Sequence, residues 1–250
     1  MAFSEYSDFY DLYYADKDYA AEADFVLELA SRFGANPQTL LDMGCGTGRH
    51  LEEFAKRGLQ CDGFDKSPTM LSQAKERLAG TNVGFQEGDL IDFENGRQYD
   101  LVVAMFAVMG YLNDNESLLG GLRTAAKHLN PGGGFIFDGW FGPAVLSQRP
   151  EKRRHEYHNG QDVVVREVTP SLDPIRQIVT VHYNIEVNRN GQIVKQFREE
   201  HIMRFMFVQE MALLIETSGL EMVYYCPFLE PAGRLITDTW NVTFVARKES

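Results

Sequence analysis

The sequence is poor in cysteine, lacks a long apolar run and is short of positive charge, and each shortage excludes a class of protein. Its three cysteines, Cys45, Cys61 and Cys226, are odd in number and show neither CxxC nor metal-ligand spacing. A disulfide framework is thereby excluded, and free thiols in a reducing compartment are expected. The longest apolar stretch, Leu101 to Leu112, falls far short of the roughly 20 residues that span a bilayer. The opening MAFSEYSDFYDLYY carries neither a basic n-region nor an apolar h-region, so the reading is a soluble, cytoplasmic chain with no membrane partner. Lys and Arg total 24 against 36 Asp and Glu, a net charge of −12. Such a field repels phosphate backbones, and nucleic acid is not an expected partner. No internal repeat or low-complexity tract is present.

What is present suffices for a large core. At about 150 residues per domain, 250 residues correspond to one large α/β domain or a core with an insertion. Hydrophobic residues at 44% and charged residues at 24% are near globular averages, which excludes a wholly disordered chain. Tyr19 to Ala30 places Ala20, Ala23, Val26, Leu27 and Ala30 on one helical stripe. Thr39 to Met43 reads as a strand entering the glycines Gly44, Gly46 and Gly48, after which Leu51, Phe54 and Ala55 resume helical spacing. The unit repeats: LQCDGFD is a strand, Ser67-Pro68 a helix start, Met70 to Leu78 a helix, and Val83 to Phe85 a third strand. Asp100 to Met105, apolar on both faces, reads as a central parallel strand, Ser117 to Leu129 as a helix ended by Asn130-Pro131-Gly132, and Phe135 to Phe137 as the fifth strand.

Beyond residue 150 the texture turns to alternation at 163–168, 177–187 and 192–207, with Asn190-Gly191 as a hairpin tip. Gln209 to Ser218 is helical, and Val223 to Cys226 and Thr239 to Ala246 return to the first sheet. The expected organisation is a core over 1–150 with an N-terminal helical cover, an antiparallel β insertion over 151–207 above the substrate cleft, and completion of the core sheet by 208–250.

The glycine cluster in LDMGCGTGRH is spaced G-x-G-x-G, where a backbone without Cβ can turn tightly and approach a ligand at the carboxyl end of the first strand. Asp65, roughly 20 residues on, ends the second strand, where a carboxylate can accept from both hydroxyls of a ribose; its alternative is an N-cap. Both NAD and S-adenosylmethionine present that ribose. Asp89, after Gly88 at the end of the third strand, adds a second carboxylate able to accept from an adenine amine, with Gly88 letting the ring approach; a loop cap is the other reading. The spacing, not the G-x-G-x-x-G form, leans away from a dinucleotide enzyme.

On the segments LLDMGCGTGRHLEEFAKRG, GFDKSPTMLSQAKERL, FQEGDLIDF, YDLVVAMFAVMGYL and HLNPGGGFIFD, the chain resembles the class I S-adenosylmethionine-dependent methyltransferases over about residues 38 to 140. That resemblance implies a Rossmann-like sheet, mostly parallel with its last strand antiparallel, carrying the β insertion after the fifth strand. It also implies S-adenosyl-L-methionine as cofactor, S-adenosyl-L-homocysteine as product, and no metal. Gly44, Cys45 and Gly46 would surround the methionine part through the backbone, Asp65 would bind ribose, Asp89 and Leu90 adenine, and Met105 the sulfonium side; Tyr19 and Lys66 complete the implied cofactor set. The Asn/Asp/Ser-Pro-Pro-aromatic and Pro-Cys elements of the base-modifying relatives are missing, with Ala104-Met105-Phe106-Ala107 in the place of the first.

YDLYYADKDYAAEADF, MFAVMGYL and EPAGRL further resemble the amino-sugar N-methyltransferases that act on dTDP-linked 3-amino deoxyhexoses. The acceptor implied is a nucleotide-linked amino sugar, taken up by a monomer or homodimer. Tyr14, Tyr111 and Arg234 match that family's substrate site, although its macrolide-sugar members have histidine where this chain has Tyr111. Such a transfer needs a neutral amine in line with methyl and sulfur, so positioning and desolvation supply most of the acceleration. Tyr14 and Tyr111 are the candidates for orienting the amine and relaying its proton, against ordinary aromatic packing. Trp140 is placed as an acceptor-pocket wall. Lys152-Arg153-Arg154-His155 reads either as a contact for a substrate diphosphate or as a solvated face. His155 and His158 would share one helix face but lack a third ligand, and of His182 and His201, alternating in a β region, one would point into the cleft.

Overall fold

The computed structural model describes residues 5–249. Seven strands form one sheet in the order β10-β11-β5-β4-β1-β2-β3. At its centre β1 (Thr39–Met43) lies between β4 (Tyr99–Ala104) and β2 (Gln60–Asp65), parallel to both, with Leu40 opposite Leu101 and Cys61. β3 (Gly84–Glu87) extends it on one side and β5 (Leu129–Trp140) on the other, also parallel. β11 (Asn241–Lys248) runs antiparallel between β5 and β10 (Leu220–Pro227). The expected sheet is therefore the observed one, including its antiparallel last strand.

Alternation along these strands builds two cores. Leu41, Val102, Ala104, Phe135 and Phe137 face α5 (Asn115–Lys127) and α7 (Val208–Thr217). Leu40, Leu101, Val103 and Ile136 face α2 (Tyr19–Arg32), α3 (Arg49–Lys56) and α4 (Pro68–Arg77). Because successive side chains of a strand point to opposite faces, a central strand covered on both sides must be apolar throughout. Capping sets the helix starts: Ser67 Oγ accepts from Met70 N with Pro68 in the first turn, and Asp114 forms a capping box with Ser117. Among the described residues no helix is long and apolar enough to cross a membrane.

A second, four-stranded antiparallel sheet consists of β6 (Arg153–Asn159), β7 (Asp162–Asp173), β8 (Ile178–Arg189) and β9 (Gln192–Arg204), in that order. Asn190 and Gly191, both at positive φ, form the expected hairpin tip between β8 and β9. The sheets are sewn together where Met206 N donates to the Trp140 carbonyl and Gly142 N to the Met206 carbonyl, both at 2.8 Å.

Two local expectations are corrected. β6 was not foreseen, because RRHEYHN is exposed at almost every position and lacks alternation; as a strand, it sets His155 and His158 on opposite faces, so they share no helix face. β5 begins at Leu129 instead of Phe135, because Gly134 pairs with both Leu101 and Arg247 and belongs to the ladder.

Asp42 on β1 is 2% exposed and burial, with Asp65 nearby, pushes its carboxyl up to about 8. An acid whose pKa is raised in the fold keeps its proton while the unfolded chain ionises. Stability therefore falls as pH rises from the ordinary carboxylate range to about 8, then levels off. In thermal denaturation, the melting temperature of Asp42→Asn relative to wild type should climb by several degrees between pH 5 and pH 8. A constant difference would show Asp42 ionised in the fold.

Candidate active site

The carboxyl ends of β1, β2, β4 and β5 converge on one rim. Gly44 has φ +74°, and a Cβ there would come within 2.6 Å of Val108 Cγ1, so glycine is required both by conformation and by space. Gly44 N and Cys45 N donate to the Phe64 carbonyl, and Gly46 N donates to Asp65 Oδ2 at 2.9 Å. Asp65 Oδ1 accepts from Ser67 N at 2.8 Å. Asp65 thus braces the glycine loop, while the N-cap of α4 is Ser67. Burial raises the Asp65 pKa in spite of these backbone donors. Lys66 Nζ donates to Asp89 Oδ2 at 2.6 Å, joining two of the sequence-derived residues across the rim. Gly88 has a different use from the one expected: a Cβ there would meet Phe93 Cδ2 at 2.3 Å, and Phe93 stacks on Phe64 at 3.9 Å. Leu90, half-buried, packs on the core beside it.

Over the loop lies the tyrosine-rich N-terminal segment, with α1 at Tyr10–Tyr13. Asp11 Oδ1 accepts from Thr47 Oγ1 at 2.8 Å and Arg49 Nε at 3.1 Å, and Oδ2 pairs with Arg77. Tyr19 is buried against His50, with Arg49 over its ring, and its hydroxyl has no hydrogen-bond partner among the described residues. Burial, with Lys17 nearby, lowers the His50 pKa to about 3. A neutral His50 donates from Nε2 to Glu22 Oε2 at 2.7 Å.

Where β4 ends, Met105 is 3% exposed and packs inward. Phe106, which the sequence reading passed over, is the residue that lines a cavity of about 300 Å³ with Tyr14, Lys17, Glu22, Asp138 and Asn241. Phe106 and Ala107 both adopt left-handed backbone, at φ 67° and 58°, a conformation costing roughly 1–2 kcal/mol per residue. Asp138, at the end of β5, holds this turn: both carboxylate oxygens accept from Ala107 N at 3.1 Å. Its pKa is raised by burial to about 6, and that of Lys17 is lowered by burial to about 8.

Tyr14 packs edge-on against Phe106, and its hydroxyl lies 3.3 Å from that of Tyr6. The Tyr111 hydroxyl lies 2.6 Å from His201 Nδ1. Burial, with Arg166 nearby, lowers the His201 pKa to about 4, so the ring is neutral. Burial likewise pushes the Tyr111 phenol well up, as do the Tyr183, Tyr14, Glu199 and Asp65 charges around it. Tyr10 is raised by burial and by Tyr14, Tyr19, Tyr111 and Asp65. Asp65 on the cofactor side thus lies within electrostatic reach of Tyr10 and Tyr111, and of the expected site residues Tyr14 lines the cavity. Of the two histidines, His201 points inward at 5% exposure, while His182 pairs with Glu200 at the surface.

Trp140 and Arg234 lie apart from the cavity lining. Trp140 sits at the seam of the two sheets, 6.1 Å from Trp240. Arg234 is exposed beyond a turn closed by Gly233 N on the Glu230 carbonyl at 2.8 Å, and has no ion-pair partner among the described residues. Tyr10, Lys17, Phe106, Asp138, Arg166 and His201 were not picked out as site residues. An acid closing a central strand, as Asp138 does, was the one available signal.

Comparison with known proteins gives concordant matches. Residues 40–133 match a family model described as a methyltransferase domain. The chain is 31% identical over 239 residues to the dTDP-3-amino-3,4,6-trideoxy-alpha-D-glucopyranose N,N-dimethyltransferase of Streptomyces venezuelae, covering 92% of this chain and 95% of that protein. It is 28% identical over 222 residues to the dTDP-4-amino-2,3,4,6-tetradeoxy-D-glucose N,N-dimethyltransferase of Saccharopolyspora spinosa, covering 88% and 87%. Among solved structures, Streptomyces venezuelae DesVI superposes with a TM-score of 0.80 at 29% identity, covering 98% of each chain.

Asp138→Ala should release the turn at Phe106-Ala107 and cost about 1.5–3 kcal/mol, the worth of a hydrogen bond to a charged group, or roughly 3–12 °C in a chain of this size. Asp138→Asn, which keeps a carbonyl acceptor, should recover most of it in calorimetric melts. Equal melting temperatures for Asp138→Ala and wild type would show that the turn holds itself.

Proposed function

The chain belongs to the amino-sugar N-methyltransferases of the S-adenosylmethionine-dependent class, and from that premise we propose that it methylates the amino group of a dTDP-linked amino deoxy sugar. The observation that supports the reading is that Asp65, which braces the glycine loop, lies within electrostatic reach of Tyr10 and Tyr111, with Tyr14 lining the neighbouring cavity. S-adenosylmethionine fits the residues present. The partnerless Tyr19 hydroxyl beside Arg49 suits the carboxylate of its methionine part, Gly44, Cys45 and Gly46 offer backbone to the same part, and Asp65 has lone pairs left for ribose. Asp89, steadied by Lys66, and Leu90 flank the place for adenine.

The cofactor, when bound, supplies a methyl group on a cationic sulfonium. What the chain adds is position and dryness. Phe106, fixed by the Asp138-held turn, lines the cavity and Tyr14 packs edge-on against it, so an amine beside Tyr14 is confined in direction. Tyr111 and His201 form a neutral pair at 2.6 Å. Since burial keeps the phenol protonated, Tyr111 orients the amine through a hydrogen bond and does not act as a phenolate base; the ammonium formed by methylation gives its proton to solvent, Tyr111 serving at most as a relay on the way. Trp140 and Arg234 remain candidates for the outer part of the acceptor, and the chain works as a monomer or homodimer in the cytoplasm without a metal.

Mass spectrometry against a panel of dTDP- and UDP-amino sugars should show gain of one or two methyl groups on the dTDP-linked amines, with turnover rising with pH and then levelling as ammonium becomes amine. Methylation of a hydroxyl, or of no nucleotide sugar, would refute the reading. Asp65→Ala should weaken S-adenosylmethionine binding by roughly 10- to 100-fold in calorimetry, through loss of charge-assisted hydrogen bonds. An unchanged dissociation constant in a folded variant would remove Asp65 from the site.

A further inference from the structure

The second sheet has two chemically different faces. β6 pairs with β7 so that Arg154 lies opposite Glu167, and His155 opposite Arg166. Cross-strand partners share a face. On the outer face Arg154 is neutralised by Glu156 at 2.5 Å and by Glu167 at 3.8 Å. On the inner face stand Arg153, His155 and Arg166, and among the described residues no carboxylate lies within ion-pair distance of any of the three. The His155 pKa is lowered by burial and then by Arg166 and Arg153, which leaves a neutral imidazole, able to donate a hydrogen bond, beside two guanidinium groups.

Arg166 is the unusual member. It is 8% exposed, so more than nine-tenths buried. One terminal nitrogen donates to the Tyr6 hydroxyl at 2.9 Å, while the buried Nε has no hydrogen-bond partner among the described residues. Four tyrosine rings surround the guanidinium, Tyr13 at 4.5 Å, Tyr157 at 5.2 Å, Tyr183 at 5.6 Å and Tyr14 at 5.7 Å. Ring faces compensate a buried cation in part, yet a guanidinium keeps its charge at any ordinary pH and carries five donors. A buried, permanent charge with an unused donor, in a chain with 36 acidic residues, is arranged for an anion from outside the chain. The position agrees, because Tyr13 and Tyr14, whose rings flank Arg166, also line the cavity beside Phe106.

We propose that Arg153, His155 and Arg166 on the inner face of β6 and β7 form the seat for the diphosphate of the acceptor, with Arg166 the buried anchor. Arginine suits the task, since its planar fork grips phosphate oxygens bidentately and its stacking on tyrosines fixes the fork beforehand. The amine then reaches Tyr14 and Tyr111 from a substrate held at its anionic end, so binding energy far from the reacting nitrogen orients it. This inference rests on the nucleotide-linked acceptor proposed above.

The test is calorimetric titration of dTDP, inorganic pyrophosphate and thymidine into the full chain saturated with S-adenosylhomocysteine. Wild type should bind dTDP and pyrophosphate. Arg153→Gln should weaken both by about 10-fold and Arg166→Gln by about 100-fold, with Arg166→Lys between, while thymidine and S-adenosylhomocysteine affinities stay the same. If Arg166→Gln does not fold, Arg153→Gln and His155→Gln, at exposed positions, carry the test. Unchanged dTDP affinity in the folded variants overturns the proposal, as does a loss seen with Arg234→Ala alone, which would put the diphosphate on the loop after β10. In both cases methylation of dTDP-amino sugars by wild type still stands. A wild type that binds no dTDP and methylates only unphosphorylated amino sugars refutes the nucleotide-linked acceptor itself, and the diphosphate seat with it.

Discussion

One carboxylate joins the N-terminal segment to the rest of the molecule. Asp11 accepts from Thr47 and Arg49, at the glycine loop and the start of α3, and pairs with Arg77 at the end of α4. Arg77 in turn donates to the Thr47 carbonyl at 3.0 Å, so the loop is held from two directions by the same cluster. The charges are only partly exposed, with side-chain exposures of 31%, 25% and 22% for Asp11, Arg49 and Arg77, and a networked pair of this kind is screened less than a surface ion pair. The same segment is also held from the second sheet, where Arg166 donates to the Tyr6 hydroxyl at 2.9 Å and Tyr6 and Tyr13 pack with Val164, Ile185, Val187 and Phe197, so Asp11 supplies the tie on the glycine-loop side.

The fastening matters because of what the sheet leaves open. Strand order reverses between β1 and β4, and the crevice outside the carboxyl ends of the strands at such a switch point is where open α/β sheets bind ligands. Phe106 of the left-handed turn lines the cavity there with Tyr13 and Tyr14 of the N-terminal segment, and Asp65 beneath the glycine loop lies within electrostatic reach of Tyr10 and Tyr111. The four-stranded sheet closes the far side, bringing His201 to Tyr111 and Arg166 to Tyr6. A sulfonium and a neutral amine need to be aligned and kept from water, and an enclosure of this kind suits both.

Much of this was legible in the sequence, for identifiable reasons. The strands β1, β2 and β4 and the helices between them announced themselves, because burial on both faces and caps such as Ser67-Pro68 leave local signatures. Asp65 and Asp89 were legible because their place at strand ends follows from chain order alone. For His182 and His201 the alternation left open which pointed inward, and Arg166 was not legible at all, since VVVREV is an ordinary alternating strand and only the pairing of β6 to β9 and the docking of Tyr6 bring these inward positions to Tyr111 and Tyr6. β6 was hidden because RRHEYHN is exposed at every position but Tyr157, so no alternation of apolar residues marks it as a strand. Gly88 looked like room for a ligand and is room for Phe93; a glycine next to an aromatic four or five residues on cannot be told from one next to an adenine without coordinates.

The central claim is that the N-terminal segment and the glycine loop form one binding unit through Asp11. A double-mutant cycle on S-adenosylhomocysteine affinity tests it most directly, with Asp11→Asn, Arg77→Gln and the double variant measured by calorimetry. The account predicts that each single change weakens binding and that the double variant is hardly weaker than the worse single one, a coupling of about 1 kcal/mol or more. Additive effects, or affinities equal to wild type in all three, would contradict it.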